Sequence, residues 1–173
     1  MNTDKKISRR EALKRMGFAV MSGAIASSGL LSLASCETKR SKRIIFYFTG
    51  TGNSLYIARQ LAGENAELLS IPQMVKRGKY EFVADEIGIV YPIYGPMPPY
   101  MVRQFIQKAK LKAEYKFAVL TYGARKCDAV EIWDRISRKA DNAFDYINTI
   151  IMVDNWLPNF DMNAQLKIAT HIP

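Results

Sequence analysis

The chain is short of the residues that build metal centres and acid–base sites. Its 173 residues include two cysteines, Cys36 and Cys127, and one histidine, His171. Two cysteines exclude a disulfide-built scaffold and a four-cysteine iron–sulfur or zinc site within the chain. A lone histidine near the C-terminus excludes a histidine metal cluster and a Ser-His-Asp triad. No metal ligand and no catalytic side chain is therefore expected. Glycine (10) and proline (7) are too few for a collagen-like or low-complexity chain. Hydrophobic residues at 49% and charged residues at 24% are ordinary for a globular protein, and the length suits one domain, or one domain with a leader. The net charge of +9 is unevenly placed: residues 1–43 hold ten Lys/Arg against three Asp/Glu, and the remaining 130 hold 15 against 13. The part expected to fold is almost neutral, so no nucleic-acid partner is expected.

The first residues read as an address. Lys5, Lys6, Arg9, Arg10, Lys14 and Arg15 form a positive head, and no charged residue occurs from Met16 to Ser35, a stretch rich in Ala, Gly, Ser and Leu. That is the layout of a secretory signal peptide. Ser8-Arg9-Arg10-Glu11-Ala12-Leu13-Lys14 resembles the twin-arginine export signal, with Ala12 in place of the usual Phe. Leu33-Ala34-Ser35-Cys36 resembles a bacterial lipobox, which implies lipidation of Cys36 and a location in the bacterial cell envelope, held to the membrane. The competing reading is an uncleaved membrane anchor, for which 20 residues suffice but the Gly and Ser content does not favour. The expected division is a signal peptide over 1–35, a charged tether over 36–43 and a folded domain over 44–173.

Within that domain short apolar runs alternate with helical patterns. Strands are expected at Ile44–Phe48, Glu67–Ile71, Ile87–Tyr91, Phe117–Thr121 and Ile147–Val153. Helices are expected at Ser54–Ala62 (Leu55, Ala58 and Leu61 on one face), Met101–Ala109, Asp128–Ala140 (Val130, Trp133 and Ile136) and Asn163–Thr170. Nearly continuous apolar strands alternating with helices imply an α/β fold, a doubly wound five-stranded parallel sheet covered on both faces. Such sheets bind ligands at the carboxyl ends of their strands, so the loops leaving strands one, three, four and five are where function is sought.

The first of these is Thr49-Gly50-Thr51-Gly52-Asn53-Ser54. A strand-to-helix turn offers free N–H groups and the positive end of a helix dipole to a phosphate. The glycines admit close approach, and the hydroxyls of Thr49, Thr51 and Ser54 add uncharged donors. The P-loop pattern fails for want of a lysine, and G-x-G-x-x-G fails at Leu55. Asn53 or Ser54 acting only as a helix cap explains one residue, not the set.

This loop resembles the flavodoxin phosphate loop, S/T-x-T-G-x-S/T, and most nearly the flavodoxin-like front domain of bacterial flavodoxin–ferredoxin fusion proteins. Tyr91-Pro92-Ile93-Tyr94-Gly95-Pro96-Met97-Pro98-Pro99 is similar to that family's second FMN loop, Thr121-Tyr122-Gly123 to its third, and Asp154-Asn155-Trp156-Leu157-Pro158 to its Asn-Tyr-hydrophobic-Pro segment, with Trp156 for Tyr. The resemblance spans about Arg43 to Ala169. It implies strand order 2-1-3-4-5 and FMN as cofactor, bound by Thr49, Gly50, Thr51, Gly52, Asn53, Ser54, Pro92, Ile93, Tyr94, Gly95, Thr121, Tyr122, Gly123, Asn155 and Trp156. Tyr94 and Tyr122 would wall the flavin ring, and Gly95 would present its peptide to flavin N5. The sequence departs from the pattern in two places. Arg125 and Lys126 follow the third loop where the family is acidic, and the ferredoxin cysteine runs are absent. The chain also ends at His171-Ile172-Pro173 inside the expected last helix, where proline breaks helical structure. Cys127 reads most simply as a structural thiol near a helix start.

These readings favour an FMN-dependent electron carrier, with a redox partner such as a ferredoxin, over a self-sufficient oxidoreductase. The alternatives are a flavodoxin-like shell without stable FMN and a flavin-dependent reductase of quinones or small acceptors.

Overall fold

A computed structural model describes residues 42–154 and 161–172. The expected signal peptide, Cys36 and most of the tether lie outside the described residues. The elements in chain order are β1 (Arg43–Tyr47), α1 (Asn53–Ala62), β2 (Ala66–Ser70), α2 (Ile71–Arg77), β3 (Glu81–Val83), β4 (Glu86–Pro92), α3 (Tyr100–Lys108), β5 (Lys110–Lys112), β6 (Tyr115–Tyr122), α4 (Ala129–Lys139), β7 (Tyr146–Ile151) and α5 (Met162–Ala169). Strand β1 begins one residue ahead of the expected domain start.

The main sheet has five strands in the order β2-β1-β4-β6-β7, and every neighbouring pair is parallel. Counted within that sheet, the order is 2-1-3-4-5, as expected. Side chains alternate between two covered faces, as the period of a strand requires. Ile44, Phe46, Ile87, Ile89, Tyr91, Ala118 and Leu120 join one core with Val102 and Phe105 of α3 and Trp133 of α4. Ile45, Val90, Phe117 and Met152 join the other, under Ile57, Ala58 and Ala62 of α1. The apolar face of α1 thus centres on Ile57 and Ala58; Leu55 and Leu61 are only half-buried. In α4 it centres on Trp133, whose ring lies 5.0 Å from Tyr91 and 5.3 Å from Phe144.

Three elements were not expected from the sequence. Helix α2 follows β2 without a loop, starting at Ile71, where Pro72 sets the first turn. Strands β3 and β5 pair in parallel as a separate two-stranded ribbon, with Phe82 and Leu111 facing inward. Buried Asn142 holds this ribbon to the end of α4: its amide donates to Ala109 O and Ala140 O, each at 2.8 Å, and its carbonyl oxygen accepts from Leu111 N–H. Among the described residues no helix is long and apolar enough to cross a membrane.

Candidate functional site

The loops leaving β1, β4, β6 and β7 meet at the carboxyl edge of the sheet. They line a cleft of about 760 Å³. That is the position at which the order of a doubly wound sheet reverses, between β1 and β4.

The first loop is built from its own hydrogen bonds. Phe48 N–H donates to Val90 O at 2.9 Å, extending β1 along β4. The Thr49 hydroxyl then accepts from Gly52 N–H at 2.9 Å and closes the turn. Gly52 has φ of 104°, a conformation that glycine adopts without strain. Helix α1 starts directly after it with no side-chain cap and no acidic residue in its first turn. Among the described residues no side chain caps the amides of that turn, and the positive end of the helix opens on the cleft.

Two bonds tie this loop to the far side of the cleft. The Asn53 amide donates to Val153 O at 2.7 Å, and Ser54 Oγ lies 2.8 Å from Thr121 Oγ1. Ser54 and Thr121 are both almost fully buried. They form the floor where the first and third loops touch.

After β4, Ile93 N–H donates to Thr121 O at 2.8 Å. Tyr94 and Met97 exchange backbone bonds of 3.0 and 3.2 Å around Gly95, whose φ is 61°. The turn lifts Tyr94 into solvent, 54% exposed, with its ring edge-on to Phe48 at 6.5 Å. Its hydroxyl overhangs the first loop: a Cβ on Gly50 would stand 3.1 Å from it. Tyr122, on the next strand, is half-buried and lines the cleft from the third loop.

The third and fourth loops are locked against each other. Met152 N–H donates to Tyr122 O at 2.8 Å, and a Cβ on Gly123 would collide with the Asp154 carboxylate. Asp154 N–H donates to Gln165 Oε1 at 2.8 Å, which brings α5 to the cleft. Asp154 and Arg125 are the two charged residues in the lining. The lining holds no histidine, and among the described residues no cluster of His, Cys, Asp and Glu could hold a metal ion.

Of the expected site residues, Thr49, Gly50, Thr51, Asn53, Ser54, Pro92, Ile93, Tyr94, Gly95, Thr121, Tyr122 and Gly123 line this one cleft, and Gly52 shapes its first loop. Asn155 and Trp156 lie outside the described residues. Sequence reasoning missed Met152, Val153 and Ala124, whose only signal was their place just beyond strand ends, and it quoted Asp154 in the fourth-loop segment without giving it a role. It placed Cys127 as structural; the residue is instead exposed, has φ of 44° and lines the cleft mouth. Tyr91 stays beneath the sheet against Trp133, where burial pushes its hydroxyl well above the ordinary tyrosine pKa.

No protein-family model and no curated protein matches the sequence. Solved structures of similar shape include a Lactobacillus acidophilus flavoprotein in complex with FMN, at 12% identity over 63% of this chain and 93% of that one, TM-score 0.47. Megasphaera elsdenii flavodoxin is similar at 18% identity over 75% and 99% of the two chains, TM-score 0.46. The NAD(P)H:quinone oxidoreductase of Methanothermobacter marburgensis is similar at 11% identity over 75% and 91%, TM-score 0.44.

Proposed function

We propose that this chain is an FMN-binding electron-transfer protein, exported and held to the bacterial membrane through a lipid on Cys36. The observation that carries the flavin reading is the first loop. Two glycines, the hydroxyls of Thr49, Thr51 and Ser54 and an uncapped helix N-terminus converge on one end of a cleft with aromatic walls. A phosphate monoester fits the first set of groups and a flat apolar ring the second.

In this reading FMN supplies the electron chemistry, and the chain supplies grip, orientation and shielding. The α1 amides and the loop hydroxyls hold the phosphate. Either hydroxyl of the Ser54–Thr121 pair can donate; in the arrangement where Thr121 does, the Ser54 proton is free for a phosphate oxygen. Tyr94 and Tyr122 flank the ring, and the Gly95 turn brings backbone polar groups to its edge. No side chain in the lining is placed to act as an acid–base pair, so electron transfer to a partner protein suits the site better than chemistry on a bound substrate. The twin-arginine and lipobox resemblance of residues 8–14 and 33–36 supports export and anchoring.

Titration of the purified chain with FMN and with riboflavin, followed by flavin fluorescence and the visible spectrum, tests the reading. Saturable FMN binding with much weaker riboflavin binding is expected. Equal affinity for the two flavins would remove the phosphate-loop assignment, and no binding would leave a flavodoxin-like shell. Steady NAD(P)H turnover without a partner protein would reassign the chain as a reductase.

A further inference from the structure

Charge is segregated in the folded part of the chain. Residues 71–84 and 100–113 hold seven Lys/Arg and one acid, Glu81, and the rest of residues 44–173 holds eight Lys/Arg against twelve Asp/Glu. Six of the seven cations, Lys76, Arg77, Lys79, Lys108, Lys110 and Lys112, are exposed. The fold gathers them at one end. Helices α2 and α3 leave the carboxyl edge of the sheet and run back, so their C-termini arrive at the amino edge, and the β3–β5 ribbon lies there too, immediately before β4 and β6. The cleft is at the opposite edge.

The cations are held on a firm base. Lys79 Nζ stands 5.2 Å from the centre of the Phe82 ring, and Lys108 Nζ 5.7 Å from that of Tyr80. Of these six cations only Lys110 has an ion partner among the described residues, Glu81 at 2.7 Å, and that pair is largely open to solvent. Val83, 66% exposed, sits beside Lys112 in the ribbon. The described chain also begins here: Lys42 N–H donates to Asp85 Oδ2, and Lys42 O accepts from Asp85 and Glu86 N–H.

We infer that this basic face lies against an anionic lipid surface and turns the cleft away from it. The inference rests on the anchoring reading of Cys36. Seven residues from Cys36 to Arg43 reach at most about 25 Å, so a lipid at Cys36 keeps the amino edge of the sheet within reach of the headgroups. Clustered Lys and Arg next to such a surface bind anionic lipids additively, over a range set by the Debye length. An orientation with the cleft outward leaves it open to a soluble electron-transfer partner.

The test uses the full chain and two variants, Lys76/Arg77/Lys79→Gln and Lys108/Lys110/Lys112→Gln, with vesicles of phosphatidylcholine alone or with about 30% phosphatidylglycerol. The expected result is a preference of the parent for the anionic vesicles that falls about tenfold or more in each variant and fades at high salt. FMN binding and melting temperature stay at parent values. An unchanged preference in both variants overturns the inference, as does loss of binding to a short DNA duplex with vesicle binding intact. Cys36→Ser is scored separately, by retention of the chain in cell membranes. A failure there strikes the anchor, whereas vesicle preference reads the basic face alone.

Discussion

Ser54 and Thr121, 67 positions apart in the chain, place their hydroxyl oxygens 2.8 Å apart beneath the cleft. Both side chains are almost fully buried, and each hydroxyl serves the other as a hydrogen-bond partner. Ser54→Ala leaves the Thr121 hydroxyl buried with one partner fewer and, in the proposed reading, removes a phosphate donor. A loss of about 1–3 kcal/mol in FMN binding is expected from the charged contact, with a smaller loss in stability. Thr121→Val should lower stability while costing less affinity. Flavin fluorescence titration and thermal unfolding of the two single variants and the double separate these effects, and strictly additive losses would show that the pair is not coupled.

Gly123→Ala forces a methyl group into the Asp154 carboxylate. Either the Asp154 side chain rotates away from the third loop, or the third loop shifts. A destabilisation of about 1–3 kcal/mol is expected, read as a lower melting temperature. An unchanged melting temperature would mean that the two loops are not in contact.

Gly88→Ala probes the packing of β4 against β6 within the sheet. Its Cβ would enter the Phe117 ring directly across from it on β6. A loss of about 1–3 kcal/mol is expected on overpacking. Addition of Phe117→Leu should recover part of it, and failure of that rescue would point to backbone strain instead.

Tyr94→Ala should act on the ligand and not on the fold. More than half of the residue is in water, and its one ring contact among the described residues, to Phe48, is a loose edge-on one at 6.5 Å. Unfolding free energy is expected to stay within about 0.5 kcal/mol of the parent, read from the thermal transition. FMN affinity is expected to fall by about 0.5–1.5 kcal/mol beyond the area effect, with a change in the visible flavin spectrum. Tyr122→Ala is the matched control for the other wall. Identical spectra in all three proteins would place the ring elsewhere.

Arg125 is exposed at the cleft mouth with no ion partner among the described residues. A cation there favours the extra negative charge of reduced flavin. Arg125→Gln should lower the midpoint potential by about 10–30 mV at low salt, and less as salt rises. Spectroelectrochemistry at two ionic strengths checks it; a potential that does not move would leave Arg125 too far from the ring to matter.

The main sheet was legible because its strands are nearly continuous apolar runs, and Ile44-Ile45-Phe46 or Ile87 to Tyr91 admit little else. The first loop was legible because glycines and hydroxyls at that spacing suit few other tasks. The β3–β5 ribbon was not. Three-residue strands such as Glu81-Phe82-Val83 show only one alternation, and the ribbon is held through Leu111 by Asn142, 31 residues further on. Helix α2 was hidden because Ile71 ends an apolar run that reads as strand, and only the fold shows that the chain turns at Ser70. Asp154 went unrecognised because its neighbour is Gly123, a contact that no local pattern announces.

The bond from Asn53 to Val153 spans 100 residues of chain. Every strand of the main sheet is joined to its parallel neighbour by a crossover, so β7 can dock only after β6 is in place. Contacts of that separation form late, after the entropy of closing so long a loop has been met. The cleft is therefore finished last. Without the chain that follows β7 the first loop lacks its latch to Val153, so a ligand held by that loop depends on the final strand. Ligand retention then reports on completion of the whole sheet, while helix content reports only on its beginnings.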